Sequence, residues 1–197
     1  MTGSPDLLDR ISWPLRTDRL TVRRARADDA DAVWRYRRLG EVNRWLGAAP
    51  ADIEAFRTYY TDPERLATAL IVELPEAVLV GDVMLRIEGA WSQAEVREQA
   101  QDVQAELGWV MDPEHQGRGF ATEAVRAVMG ACFDQLGLRR VSAGCFAANE
   151  PSWRMMERLG MRREEHSRAT ALHRSGEWMD GMAYALLADE WRAIQDG

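Results

Sequence analysis

Apolar positions along the chain change their period several times, and each change marks an element. Leu20, Thr21 and Val22 sit between arginines and read as a short strand. Asp28 and Asp29 then open a helix in which Ala30, Val33 and Trp34 recur at intervals of three and four. A second helical stretch starts at Asp52 and carries Ile53, Phe56, Tyr59 and Tyr60 up to a break at Pro63. Residues 68–74, TALIVEL, are a nearly continuous apolar run, as in a buried strand. After a turn at Pro75-Glu76, AVLVGDVMLRIEG predicts one strand interrupted near Gly81 or two short ones. Residues 91–103 are polar and charged, a connecting loop or a short solvated helix.

Ala105–Met111 reads as a strand ending at Asp112-Pro113. Ala121, Ala124, Val125, Val128, Cys132 and Leu136 then repeat at helical spacing until Gly137 stops the helix. Val141–Phe146 is a further strand. Asn149 is a candidate cap for a helix with Pro151 in its first turn and Gly160 at its end. From Met161 the pattern gives a strand, a turn near Ser175-Gly176, a last strand through Met182 to Leu187, and a short tail from Asp189 to Ile194. The order predicts a mixed α/β (α+β) fold: one twisted sheet with helices on both faces. Residues 1–14 read as a lead-in and 15–197 as a single domain.

Composition narrows the function. The 197 residues are 46% hydrophobic, enough for a sizeable core. There are 25 basic and 32 acidic residues, a net charge of −7, so the basic footprint of a nucleic-acid binder is missing. Every basic residue is Arg, which reads as coding bias and removes any Lys from P-loop, Schiff-base or self-acetylation chemistry. Cys132 and Cys145 make no disulfide framework and read as core thiols of a reducing compartment. His115, His166 and His173 show no zinc-ligand spacing, so no metal is expected. The first residues carry no apolar segment of signal-peptide type, and no run approaches the ~18 apolar residues of a spanning helix. A cytoplasmic protein without membrane or nucleic-acid partners is expected.

Chemistry concentrates in WVMDPEHQGRGFATE, Trp109 to Glu123. A strand meets a helix there through two glycines and an arginine. Such a turn leaves backbone N–H groups unpaired at a helix N-terminus, where the dipole favours anions and phosphate is the natural ligand. An ordinary strand–turn–helix connection is the plain alternative. Without Lys the Walker pattern fails, and Thr122 stands where the dinucleotide fingerprint needs its third glycine.

Gln116-Gly117-Arg118-Gly119-Phe120-Ala121 resembles the Q/R-x-x-G-x-G/A signature of the GNAT N-acyltransferase superfamily, preceded by Val110-Met111-Asp112-Pro113. Asn149 through Met161 is similar to that family's N-x-x-S-x-x-x-x-E-K-x-G-F helix. Leu15-Arg16-Thr17-Asp18-Arg19-Leu20 resembles the opening of its ribosomal-protein-acetylating (Rim-type) branch. Gly176 to Asp180 and Tyr184 to Trp191 resemble that branch's ending. The resemblance implies a mostly antiparallel sheet splayed at an acetyl-coenzyme A site, with no metal. It implies that amides from Gln116 to Ala121 hold the pyrophosphate, with Arg118 reaching a phosphate or, as the plain alternative, standing solvated beside Glu114, and that the strand ending at Val110-Met111 and Asn149 contact the cofactor.

Direct acetyl transfer to a primary amine needs a base, donors for the oxyanion and an acid for the thiolate. Glu106 is the candidate base, with a cross-strand ion pair as its plain alternative. Ser152 is the candidate acid, with cofactor contact or capping as alternatives; water is another source of the proton. Met156 stands where many relatives carry a Tyr, which leaves a catalytically silent acyl-coenzyme A-binding module as the second reading. Cys145 has no neighbouring base in sequence. Trp34, Tyr36, Trp45, Phe56, Tyr59 and Tyr60 read as core aromatics, with Trp45 or Tyr59 as pocket-lining candidates. The expected acceptor is a peptide N-terminus, an amino-group antibiotic or a small metabolite; the oligomeric state is open, a homodimer among the options.

Overall fold

A computed structural model describes residues 7–196 of the chain. Positions 1–6 of the expected lead-in lie outside these residues; Leu7–Arg10 is a single 3-10 turn. In chain order follow β1 (Leu15–Arg16), β2 (Thr21–Arg24), α1 (Ala30–Arg37), α2 (Gly40–Asn43), α3 (Ile53–Tyr60), α4 (Pro63–Thr68), β3 (Ala69–Leu74) and β4 (Val78–Glu88). Then come β5 (Gln104–Met111), α5 (Phe120–Gly130), β6 (Arg140–Phe146), α6 (Glu150–Arg158), β7 (Arg162–Leu172), β8 (Trp178–Leu187) and α7 (Ala188–Gln195). The eight strands form one sheet in the order β1-β2-β3-β4-β5-β6-β8-β7. β5 and β6 are parallel; β1 to β4, and β6 through β8 to β7, pair antiparallel. No helix among the described residues is long and apolar enough to cross a membrane.

The chain forms two compact units. One holds Trp13–Leu85 and Gly108–Ala127. Its core gathers Val33, Tyr36, Phe56, Tyr60, Ile71 and Val110, with Trp34 and Tyr59 packed against it. Phe56 lies 5.1 Å from Trp34 and 5.6 Å from Tyr60, so the aromatic stripe is core. Tyr59 and Trp45, the pocket candidates, sit under the guanidinium groups of Arg65 and Arg44 respectively. Buried charge is paired: Asp82 accepts from Tyr36 Oη at 2.5 Å and is ion-paired with Arg37. Arg23 bridges Asp29 at 2.8 Å and Glu73 at 2.7 Å.

β4 is a single strand through Gly81, where the sequence predicts one strand interrupted there or two short ones; the irregularity is a bulge beside Gly81. The register with β3 shifts so that Val80 is an extra, bulged residue, and its carbonyl accepts from Asp112 N at 2.9 Å. A Cβ on Gly81 would stand 2.5 Å from both Val110 O and Met111 Sδ, so glycine is required by close approach. The helix from Ile53 ends at Tyr60, ahead of the break expected at Pro63, and Pro63 then opens a further short helix, α4, at a position where its missing N–H costs nothing, behind the Asp62 cap.

The other unit holds residues up to Ser12, Arg86–Leu107 and Val128 onward. α5 runs on into a π turn, Ala131–Gln135, where Phe133 stacks on Trp191 at 5.6 Å. The polar segment contains an exposed 3-10 turn, Ala94–Ala100, closed by Ala90 N donating to Ala100 O at 2.7 Å. The expected tail is a helix, α7, whose Glu190 accepts from Leu187 N at 2.8 Å. Cys132 is fully buried, and burial pushes its thiol up to about 12, as for a core sulfur.

Candidate active site

In the first unit β5 ends on buried Val110 and Met111, and Asp112 closes the strand. One Asp112 oxygen accepts from Glu114 N at 3.1 Å and the other pairs with Arg35 at 2.7 Å. Gln116 ties the turn from both ends: its amide N–H donates to Pro113 O at 3.3 Å and its Nε2 to Met111 O at 3.1 Å. Its amide is thus engaged within the turn. Gly117 (φ +73°) and Gly119 (φ +80°) lie in the left-handed region, where side chains with a Cβ are strained. α5 follows at once. The N–H groups of Gly117, Arg118, Gly119, Phe120 and Ala121 have no acceptor among the described residues. These five consecutive unpaired donors stand at the positive end of a helix dipole, an environment that favours negative charge.

Residues that sequence reasoning passed over brace this loop. Glu123, in the first turn of α5, accepts from Thr17 Oγ1 at 2.6 Å, from Arg19 N at 3.1 Å and from Arg19 Nε at 2.7 Å. Arg19 Nη1 donates to the Arg118 carbonyl at 3.0 Å, and its guanidinium stacks 4.8 Å from the Phe120 ring centre. Burial would raise the Glu123 carboxyl, but the hydrogen bonds from Thr17 and Arg19 outweigh it and hold it below its ordinary value.

His115 has a buried Nδ1 with no partner among the described residues. Asp112, Glu114 and His115 bring one ligand atom each within 4.8 Å of one another, but both Asp112 oxygens are already engaged.

The remaining candidates lie in the other unit. The parallel ladder pairs Gln104 with Arg140, Ala105 with Val141 and Glu106 with Ser142, and Glu106 is its last pair. Glu106 Oε2 is ion-paired with Arg86 of β4, the cross-strand pairing weighed as its plain alternative. Its Oε1 has no partner among the described residues. Asn149 stands at the start of α6 without the expected side-chain cap; its carbonyl accepts from Ser152 N at 3.1 Å instead. The Ser152 side chain is hydrogen-bonded to Cys145. Burial raises the Cys145 thiol and the Ser152 bond only partly offsets it. Met156 is fully buried and acts as core. Tyr184 is buried with its hydroxyl donating to Glu157 at 3.1 Å, whereas Trp178 is exposed.

Comparison with known proteins follows the same lines. The acetyltransferase (GNAT) domain family matches residues 19–162. The chain is 28% identical over 181 residues to the uncharacterized N-acetyltransferase YoaA of Bacillus subtilis (strain 168), covering 88% of this chain and 96% of that protein. To the uncharacterized N-acetyltransferase YnaD of the same organism it is 40% identical over 86 residues, 44% of this chain; the match spans half of that relative's length. The crystal structure of a GNAT-family acetyltransferase from Bacillus anthracis aligns with a TM-score of 0.76 at 29% identity, covering 89% of this chain and 99% of that one. The eight-stranded α/β sheet, the free-amide turn and a family match over most of its length place the chain in the GNAT acetyltransferase family.

Proposed function

We propose that the protein transfers the acetyl group of acetyl-coenzyme A to a primary amine by direct attack within a ternary complex. The observation that carries this reading is the run of unpaired amides from Gly117 to Ala121. A diphosphate supplies the acceptors those donors lack. Arg118 adds a guanidinium beside them, Gln116 holds the turn closed, and Val110, Met111 and Asn149 contact the pantetheine arm. Acetyl-coenzyme A contributes an activated thioester; the proton movements fall to the chain.

An alkyl amine, with a pKa of ~10.4, must lose a proton before it can attack. Glu106 takes that proton on Oε1 while Arg86 holds Oε2 and fixes the carboxylate plane. Backbone amides at Val110 and Met111 stabilise the oxyanion. As the N–C bond forms and the C–S bond breaks, Ser152 or water returns a proton to the departing sulfur. A thiol of pKa ~8.5 leaves readily, so this last role is the least demanding.

The test measures coenzyme A release from acetyl-coenzyme A with a panel of peptide N-termini, aminoglycoside-type amines and small polyamines. Amine-dependent release supports the proposal. Tight coenzyme A binding with no release for any amine supports the silent binding module instead, and absence of binding sinks both.

A further inference from the structure

Five free amides do not converge on a ligand by themselves. Two of the five residues are glycines at positive φ, the positions where a loop is easiest to reshape. Something outside the loop must set its peptide planes, and a single guanidinium is placed to do so. Arg19 reaches the Arg118 carbonyl with Nη1, and its Nη2 stands 3.5 Å from where a Cβ of Gly119 would be. Its planar face covers Phe120 and its Nε and Nη2 grip Glu123, the latter at 2.5 Å. Arg19 thus touches residues 118, 120 and 123 and lies beside Gly119. Thr17 completes the seat through Glu123.

The carbonyl of Arg118 and the N–H of Gly119 belong to one trans peptide, so they point in opposite directions. Drawing the carbonyl toward Arg19 turns the Gly119 N–H away from it. Charge acts in the same sense. Glu123 places a carboxylate in the first turn of the helix whose amides would meet an anion, and Arg19 neutralises it.

We propose that Arg19, seated by Glu123 and Thr17, is the positioning residue that sets the 118–119 peptide plane and shields Glu123 from a bound diphosphate. This rests on the diphosphate reading of the loop. Arg19 is half exposed, so this role does not require it to be part of the core.

The experiment compares two acyl donors, acetyl-coenzyme A and S-acetylpantetheine, which lacks the diphosphate. For Arg19→Met, KM for acetyl-coenzyme A rises about 10-fold with kcat within twofold, the scale of a lost charge-assisted hydrogen bond. The kcat/KM for S-acetylpantetheine stays unchanged. Arg19→Lys keeps the charge but not the fork and falls between wild type and Arg19→Met. Arg19→Met/Glu123→Gln recovers part of the loss, because the unpaired carboxylate is gone. Equal losses with both donors, or no change with either, overturn the positioning role. Should Arg19→Met fail to fold, calorimetric titration of Arg19→Lys with coenzyme A decides the same question, unchanged affinity being the overturning result. A wild-type protein that binds no coenzyme A overturns the diphosphate reading itself, and this inference with it; that outcome is visible before any variant is made.

Discussion

Glu106 carries the sharpest demand on any single side chain. A general base needs an open lone pair, and Arg86 occupies one carboxylate oxygen while leaving the other. General-base catalysis is worth about 100-fold to 10,000-fold, so Glu106→Gln should lower kcat by at least about 100-fold. Coenzyme A affinity, measured by calorimetry, should stay the same; a parallel loss of affinity would make Glu106 a structural residue. Gly119 makes the complementary case on the binding side. At φ +80°, with Arg19 Nη2 3.5 Å from the place a Cβ would take, Gly119→Val must either strain the loop or swing its amides. Coenzyme A affinity should fall at least about 10-fold, with a melting temperature lower by about 2–12 °C, because the cost of one strained residue is about 1–3 kcal/mol. Unaltered affinity would show that the loop's amides are not the seat.

At the scale of elements, local pattern locates most boundaries and misses those set by a neighbour. The 68–74 run and the helix after Gly119 are legible because their periodicity belongs to their own residues. Gly81 is not: a glycine within a strand pattern reads as an interruption, and only the approach of the Val110 carbonyl explains why the strand continues through it. Pro63 reads as a stop, and α3 does end before it, but the same residue also suits a first helical turn, and the Asp62 carboxylate accepting from Arg65 N at 3.2 Å starts the short helix that the pattern does not announce. Asn149 reads as a cap from residue type alone, yet it is the backbone carbonyl that makes the bond. The bulge yields a direct test. Gly81→Ala puts a methyl 2.5 Å from Val110 O and Met111 Sδ, and forcing these apart should cost about 2 kcal/mol. The melting temperature should then fall by about 4–8 °C; a variant as stable as wild type would mean that the sheet yields freely there.

For the molecule as a whole, the loop of free amides is readable from sequence because it depends on a single turn, whereas its brace is not. Glu123 and Arg19 are 104 positions apart, and nothing in one sequence links them. The same holds for Glu106 and Arg86. The all-Arg composition also acquires a structural meaning: planar forks grip Asp29 from Arg23, Asp31 from Arg57 and Glu164 from Arg140, each by two bonds, a geometry Lys cannot reproduce. Hydrogen bonds from Arg140, helped by Arg162 and opposed by burial, lower the Glu164 carboxyl from its ordinary 4.5 to about 2. A carboxyl lowered by folding stabilises the folded state above its unfolded value and loses that contribution as pH falls toward its folded value. The urea midpoint of wild type should therefore exceed that of Glu164→Gln at pH 7, and the gap should close between about pH 5 and about pH 2; a gap constant with pH would exclude charge as its cause. The brace from Thr17 and Arg19 to Glu123 has one more consequence. Because it joins residues 17–19 to residue 123, a version of the chain split anywhere between them would have to reunite its fragments to restore the brace; under the proposed diphosphate reading, coenzyme A capture would then report that reunion.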